Sequence, residues 1–333
     1  MKSVIIGIHG LGNKPPRDLL QSWWLRSIRE GLQNYGSGNL KFEFDMAYWA
    51  DVIHPVPLDP YITNPDAPLY LEEPYTPGGT VKKEDPSQLI RDVLKYLEKQ
   101  MDRIFLNDDM TINFRNVTDK LIHLYFSDLE RYYGEKCVPA SDQDCSAREA
   151  IQQRLLRKLR QYRGYRIMLI AHSMGSIVSY DVLSSLDASG RIQTLVTLGS
   201  PLGLPIIVGR IHETGKKRGS ESAHPAVPES IVESWINMAD LRDRIALDQS
   251  LADDYSANSR GLVAEDKSVF NDYAVNGKAN PHKSFGYLRT PEMAETITGF
   301  IEQGRSRYYR AYLALADKIT SGLRSAARSF KGD

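Results

Sequence analysis

The chain has 333 residues, with 42 Lys+Arg against 42 Asp+Glu, a formal net charge of zero and a mean hydropathy of −0.40. That length can bury a substantial core in one large domain or two ordinary ones, and the balanced charge excludes the global basic field that draws a protein to nucleic acid. No apolar run approaches the roughly 18 residues that a membrane-spanning helix needs, and the opening MKSVIIGIHG reads as a first strand rather than a signal peptide, so a cytoplasmic location is expected.

Short β-rich runs alternate with helical patterns, which implies an α/β architecture with a mostly parallel sheet and helices on both faces. Val4–Ile8 is the first strand candidate and HGLGNKPP follows it. Leu20, Trp23, Trp24, Ile28 and Leu32 then recur at the spacing of one buried helical face. Phe42–Tyr48 is the second strand candidate. Residues 55–86 hold eight of the 17 prolines, and helical patterns at 86–101 and 117–133 come after them. The alternation is broken here, so residues 51–145 read as an insertion over one end of the sheet, where a cap would sit. Cys137 and Cys145 are the chain's two cysteines. They are too few for a disulfide framework and read as free thiols.

Ile151, Leu155, Leu159 and Tyr162 predict a second helix. Its basic face, with Arg154, Arg157, Lys158 and Arg160, has no interleaved aromatics and reads as a solvated surface. The run LIAHSMGSIVSYDVL then leaves a strand, Arg166–Ala171, and enters a helix through Ser173, with helical spacing at Ile177, Val178, Val182 and Leu186. Leu195–Leu198 and Trp235–Met238 are further strand candidates, and 212–230, rich in Gly, Ser, Pro and charge, reads as an exposed loop. NPHKSFGYL precedes a last helix of the main domain around Pro291–Glu302. Residues 1–303 thus form one domain with its insertion, and 304–333 a basic amphipathic C-terminal helix. Its segment from Arg305 has seven Lys/Arg against two Asp, with an apolar stripe through Tyr308, Tyr312, Leu315, Ile319 and Leu323. Such a helix can lie on an anionic membrane surface, dock on the protein or form a dimer seam, and all three stay open.

A serine hydroxyl is a poor nucleophile near neutral pH and needs a base within hydrogen-bond reach, itself oriented by an acid. A strand–turn–helix with small residues beside the serine is the context of a nucleophile elbow. Ala171 and Gly175 flank Ser173, alanine standing where glycine is commoner. Elbow hydrolases carry the acid and then the histidine after the serine, and beyond residue 224 the sole histidine is His282. Asp240 and Asp243, after the apolar WINM, are the acid candidates, with Asp248 further on. An oxyanion hole needs two backbone N–H donors. Met174 follows the serine, and Leu11 lies in the glycine-rich turn after the first strand. His9 and His172 read as structural or pocket-lining. His54, His123, His212 and His224 read as surface or internally satisfied, with no metal-site spacing.

The segments HGLGN, YWAD, AHSMGSIVSYDVL, GSPLGLP and NPHKSFGYL together resemble the α/β-hydrolase superfamily, and within it bacterial lipase-like serine esterases of unknown substrate, over residues 1–303. The resemblance implies an α/β-hydrolase fold with the insertion as cap. It favours Asp243, which heads DRIA, as the triad acid. It further implies cleavage of a carboxylic ester through an acyl-enzyme, on a small-molecule or lipid ester, with no cofactor and no metal. A phospholipase, thioesterase or acyltransferase would use the same parts, and a non-catalytic binding protein would keep the pocket. The single HG-x turn resembles the class that takes medium or long acyl chains, and Gly199–Pro201 a segment that often lines the pocket.

Overall fold

Strand β1 (Ser3–Ile8) is apolar at nearly every position because both of its faces are covered. Val4, Ile6 and Ile8 face one apolar layer and Ile5 the other. The computed structural model describes residues 1–79, 129, 131–133, 146–186, 190–217, 224–246 and 249–304. In it β1 is joined by β2 (Glu43–Ala47), β3 (Arg166–His172), β4 (Ile192–Leu198), β5 (Ile231–Ala239) and β6 (Ala264–Ser268). They form a six-stranded sheet in the order β2–β1–β3–β4–β5–β6, every neighbouring pair parallel.

A short helix, α2 (Ala50–Ile53), follows β2. On one face lie α1 (Arg17–Asn34), α6 (Ser284–Leu288) and α7 (Pro291–Gln303). They bury Trp24, Ile28, Phe285, Met293, Ile297 and Phe300 against Ile5, Met168, Ile170 and Val196. On the other lie α3 (Ala147–Gln161), α4 (Met174–Ser185) and α5 (Pro205–Lys217). These set Ile151, Leu155, Leu159, Ile177, Val178 and Ile207 against Val4, Ile6, Leu169 and Leu195. The predicted stripes are therefore the buried ones. Helix α3 starts where the Ser146 hydroxyl accepts the Glu149 N–H at 3.2 Å, an N-cap that satisfies one of the amides a helix start leaves open.

Three features differ from the sequence reading. Strand β6 was not expected, because AEDKS is an edge strand with only its first residue buried, and charge at an edge masks the apolar signal. A small hairpin, β7 (Ala274–Val275) with β8 (Lys278–Ala279), turns on Asn276 and Gly277, both with positive φ of 51° and 75°. The segment taken as an exposed loop at 212–230 is helical as far as Lys217, and Val227 and Ser230 are buried. Glu213 and Lys216 lie on the exposed side of α5.

The strand order brings the site together. The chain runs from β1 outward to β2 and then crosses to β3 on the opposite side of β1, so the loops leaving β1 and β3 diverge and open a crevice. The register pairs Ile8 with Ala171, which sets His9–Gly12 level with Ser173. The proline-rich segment is fastened near this end: Tyr273 Oη donates to Pro74 O at 2.7 Å and Arg289 Nη1 to Thr76 O at 2.6 Å. Most of the expected cap at 51–145, Cys137, Cys145, His123, Asp248 and the C-terminal helix at 305–333 lie outside the described residues. Among the described residues no helix is long and apolar enough to cross a membrane.

Candidate active site

Ser173 stands between β3 and α4 with φ 54° and ψ −129°. A β-carbon disfavours that region, so the turn holds only because the strand before it and the helix after it are fixed by packing. The Ser173 N–H donates to Leu198 O at 2.9 Å. Small neighbours are required by contact as well. A β-carbon on Gly175 would lie 2.7 Å from the His9 carbonyl oxygen, and one on Gly10 would lie 2.7 Å from Ser173 Cβ. Ala171, the departure from the commoner motif, precedes the tight turn. Its methyl group is buried in the core on the α3–α4 side, where space exists for it.

Asp243 follows β5 and His282 precedes α6, and the fold brings both to Ser173. His282 Nε2 lies 2.9 Å from Ser173 Oγ, and His282 Nδ1 lies 2.9 Å from each Asp243 carboxylate oxygen. A carboxylate can only accept, so Nδ1 carries the proton and Nε2 is left to accept the Ser173 hydroxyl proton. The three residues are 1%, 2% and 8% exposed for Ser173, Asp243 and His282, so the hydrogen bonds are shielded from water.

Asp243 also accepts the Ile245 N–H at 2.9 Å and the Tyr287 hydroxyl at 2.7 Å. Asp240 has a different role. Its carboxylate accepts Arg242 Nε at 3.0 Å, Arg242 Nη2 at 2.7 Å and the Asn271 N–H at 2.6 Å, and it does not face His282. Tyr287 was not singled out by sequence reasoning. Burial first, and then the Asp243 carboxylate, push its phenol well above its ordinary 10, so it remains a donor. Its position five residues beyond His282 in NPHKSFGYL was the available signal.

Two further histidines frame the serine. His172 Nε2 donates to the His282 carbonyl at 2.7 Å, and the two rings are 4.9 Å apart. Burial first, and then the neighbouring His282 ring, hold its ring well below the ordinary 6.5. Burial lowers His9 to about 3, so it is neutral, with Nδ1–H donating to Gly10 O at 2.8 Å and Nε2 accepting the Trp49 N–H at 3.0 Å. The YWAD segment thus anchors the turn after β1.

A cavity of about 380 Å³ opens over Ser173 and His282, lined by Leu11, Lys14, His54, Tyr70, Ile245 and Lys283 among others. Leu11 is in its wall. Met174 is the first residue of α4, and its N–H is among those that a helix leaves without an intrahelical partner. Gly199–Pro201 is not among the lining residues. A β-carbon on Gly199 would lie 2.6 Å from Asp243 Oδ2, so this segment backs the acid and base from beneath. Among the described residues no group of three His, Cys, Asp or Glu is disposed to hold a metal ion.

Residues 140–213, which include β3, the Ser173 turn and α4, match the family described as PGAP1-like alpha/beta domain. No curated protein matches the chain.

Proposed function

Because the chain has the fold of the α/β-hydrolase superfamily, we propose that it is a serine hydrolase that cleaves a carboxylic ester through an acyl-enzyme. The observation that carries the reading is the unbroken chain from Ser173 Oγ to His282 Nε2 and from His282 Nδ1 to Asp243, at 2.9 Å each, on a strained turn. Strain retained in a buried turn is a mark of functional sites.

In the proposed reaction Ser173 Oγ attacks the ester carbonyl carbon while its proton passes to His282 Nε2. The Asp243 carboxylate stabilises the imidazolium that forms without taking its proton. The oxyanion is held by the N–H groups of Leu11 and Met174. The tetrahedral intermediate collapses, the C–O bond to the alcohol breaks, and the imidazolium returns its proton to the departing oxygen. Water then attacks the acyl-enzyme with His282 again as base, and Ser173 leaves protonated. None of these steps calls for a cofactor.

The test is hydrolysis of p-nitrophenyl esters over a range of acyl lengths by the wild type, Ser173→Ala and His282→Ala, with fluorophosphonate labelling alongside. Activity and labelling in the wild type, and loss of both in Ser173→Ala, are the expected result. A wild type that neither turns over nor labels would remove the hydrolase reading and leave Ser173 as a turn residue.

A further inference from the structure

The turn that carries Leu11 has little rigidity of its own. It contains Gly10 and Gly12, the latter with φ 79°, and glycine-rich peptide planes turn over at small steric cost. An N–H points opposite to the carbonyl of its own trans peptide, that of the preceding residue, so the aim of a backbone donor is set by whatever holds that carbonyl and by how far the next plane can swing. Here side chains hold three carbonyls in succession. His9 Nδ1–H donates to Gly10 O at 2.8 Å. Lys14 Nζ donates to Leu11 O, and to Gly12 O at 3.2 Å. Both peptide planes that flank Leu11 are therefore restrained, the first by an imidazole and the second by an ammonium.

Lys14 is also part of the site electrostatically. It lines the cavity together with Leu11, Ser173 and His282. Its charge acts on His9, His172 and Glu73, which surround the serine and its base. A positive charge shared between carbonyl oxygens of the turn and the cavity favours whatever negative charge develops there, the more so where water is excluded.

We propose that Lys14 is a positioning residue of the oxyanion hole: its ammonium pins the Leu11 and Gly12 carbonyls and so fixes the peptide plane after Leu11, while His9, through Gly10 O, holds the plane that carries the Leu11 N–H, and that N–H stays aimed at the developing oxyanion only with both planes held. The inference rests on the serine hydrolase reading above. An ordinary loop-capping lysine would contribute to stability alone. A positioning lysine acts on the transition state, so its loss lowers kcat and leaves KM nearly unchanged.

The experiment compares the wild type with Lys14→Met, Lys14→Arg and Lys14→Gln in the full chain, with p-nitrophenyl butyrate as substrate and a trifluoromethyl ketone as transition-state analogue. Lys14→Met is expected to lower kcat by about 10- to 100-fold, somewhat less than the loss of an oxyanion donor itself. KM should stay within about twofold, analogue affinity should fall in parallel with kcat/KM, and Lys14→Arg should recover most of the loss. If Lys14→Met fails to fold, Lys14→Ala, which also removes the donor, takes its place, and Lys14→Gln separates loss of the donor from loss of the charge. A folded Lys14→Met or Lys14→Ala variant with wild-type kcat and analogue affinity would overturn the inference while leaving the hydrolase reading intact. A wild type that neither labels with fluorophosphonate nor turns over would remove both together.

Discussion

The Tyr287 hydroxyl donates to Asp243 and accepts the Asp240 N–H at 3.0 Å, so it ties the two aspartates that follow β5 to α6. Tyr287→Phe removes a charge-assisted hydrogen bond of about 1.5–3 kcal/mol. The expected result is a fall of about tenfold or more in kcat/KM and a lower Tm, read by ester hydrolysis and thermal unfolding. A Phe variant with unchanged kcat/KM would show that Asp243 needs no help to hold His282. The two aspartates separate in the same way. Asp243→Asn disturbs the tautomer of His282 and should lower kcat by about three orders of magnitude or more. Asp240→Asn breaks the pairing with Arg242 and should act on stability instead. Equal kcat losses would contradict that division. The sequence placed both aspartates after β5 but could not choose between them from the residues alone, because the choice depends on which carboxylate the loop turns toward a histidine 39 positions away.

Among the elements, β3 with its elbow and the strap ahead of residue 80 make the sharpest predictions. Ala171 contributes a buried methyl group on the strand rather than a functional group, so Ala171→Gly should cost about 1 kcal/mol in stability and keep fluorophosphonate labelling. Loss of labelling in a folded variant would mean that the methyl group helps to shape the elbow. The strap acts through Glu73, which accepts Asn280 Nδ2 at 2.6 Å and Lys283 Nζ at 3.0 Å and so clamps the residues around His282. Burial would raise the Glu73 carboxyl, but the Lys283 ammonium and the hydrogen bonds from Asn280 and Lys283 hold it below its ordinary 4.5. A carboxyl lowered in the folded state stabilises the protein above its unfolded value, and the contribution is lost as pH falls through the folded one. The Tm difference between wild type and Glu73→Gln should therefore be full at pH 7 and shrink below about 4.5. A difference independent of pH would assign the effect of Glu73 to shape. The prolines of this strap were legible in the sequence as a break in the alternation. Its fastening to the His282 loop was not, because the bonded residues are 207 and 210 positions apart.

At the scale of the molecule, acid sensitivity follows from burying two neutral histidines at the centre of the sheet's carboxyl end. His9, lowered to about 3, and His172, lowered well below 6.5, stay neutral in the fold while the unfolded chain protonates them. Stability is then full above about 6.5 and falls toward lower pH by up to about 1.4 kcal/mol per pH unit for each histidine. Urea unfolding at pH 7.5 and pH 5 measures this, and equal midpoints would show that both rings take up a proton within the fold. The alternation of β-rich and helical runs, the buried stripes of α1 and α3, the strand–turn–helix at Ser173 and the nomination of His282 as candidate base were all legible in the sequence itself. Each is local in periodicity, in motif spacing or in the scarcity of histidines. The tertiary structure alone decided that Asp243 rather than Asp240 faces His282, that Tyr287 joins them, that β6 closes the sheet, and that Lys14 and His9 hold the turn after β1. Those outcomes depend on contacts between loops that leave different strands. Only the strand order and the Ile8–Ala171 register bring such loops to one place.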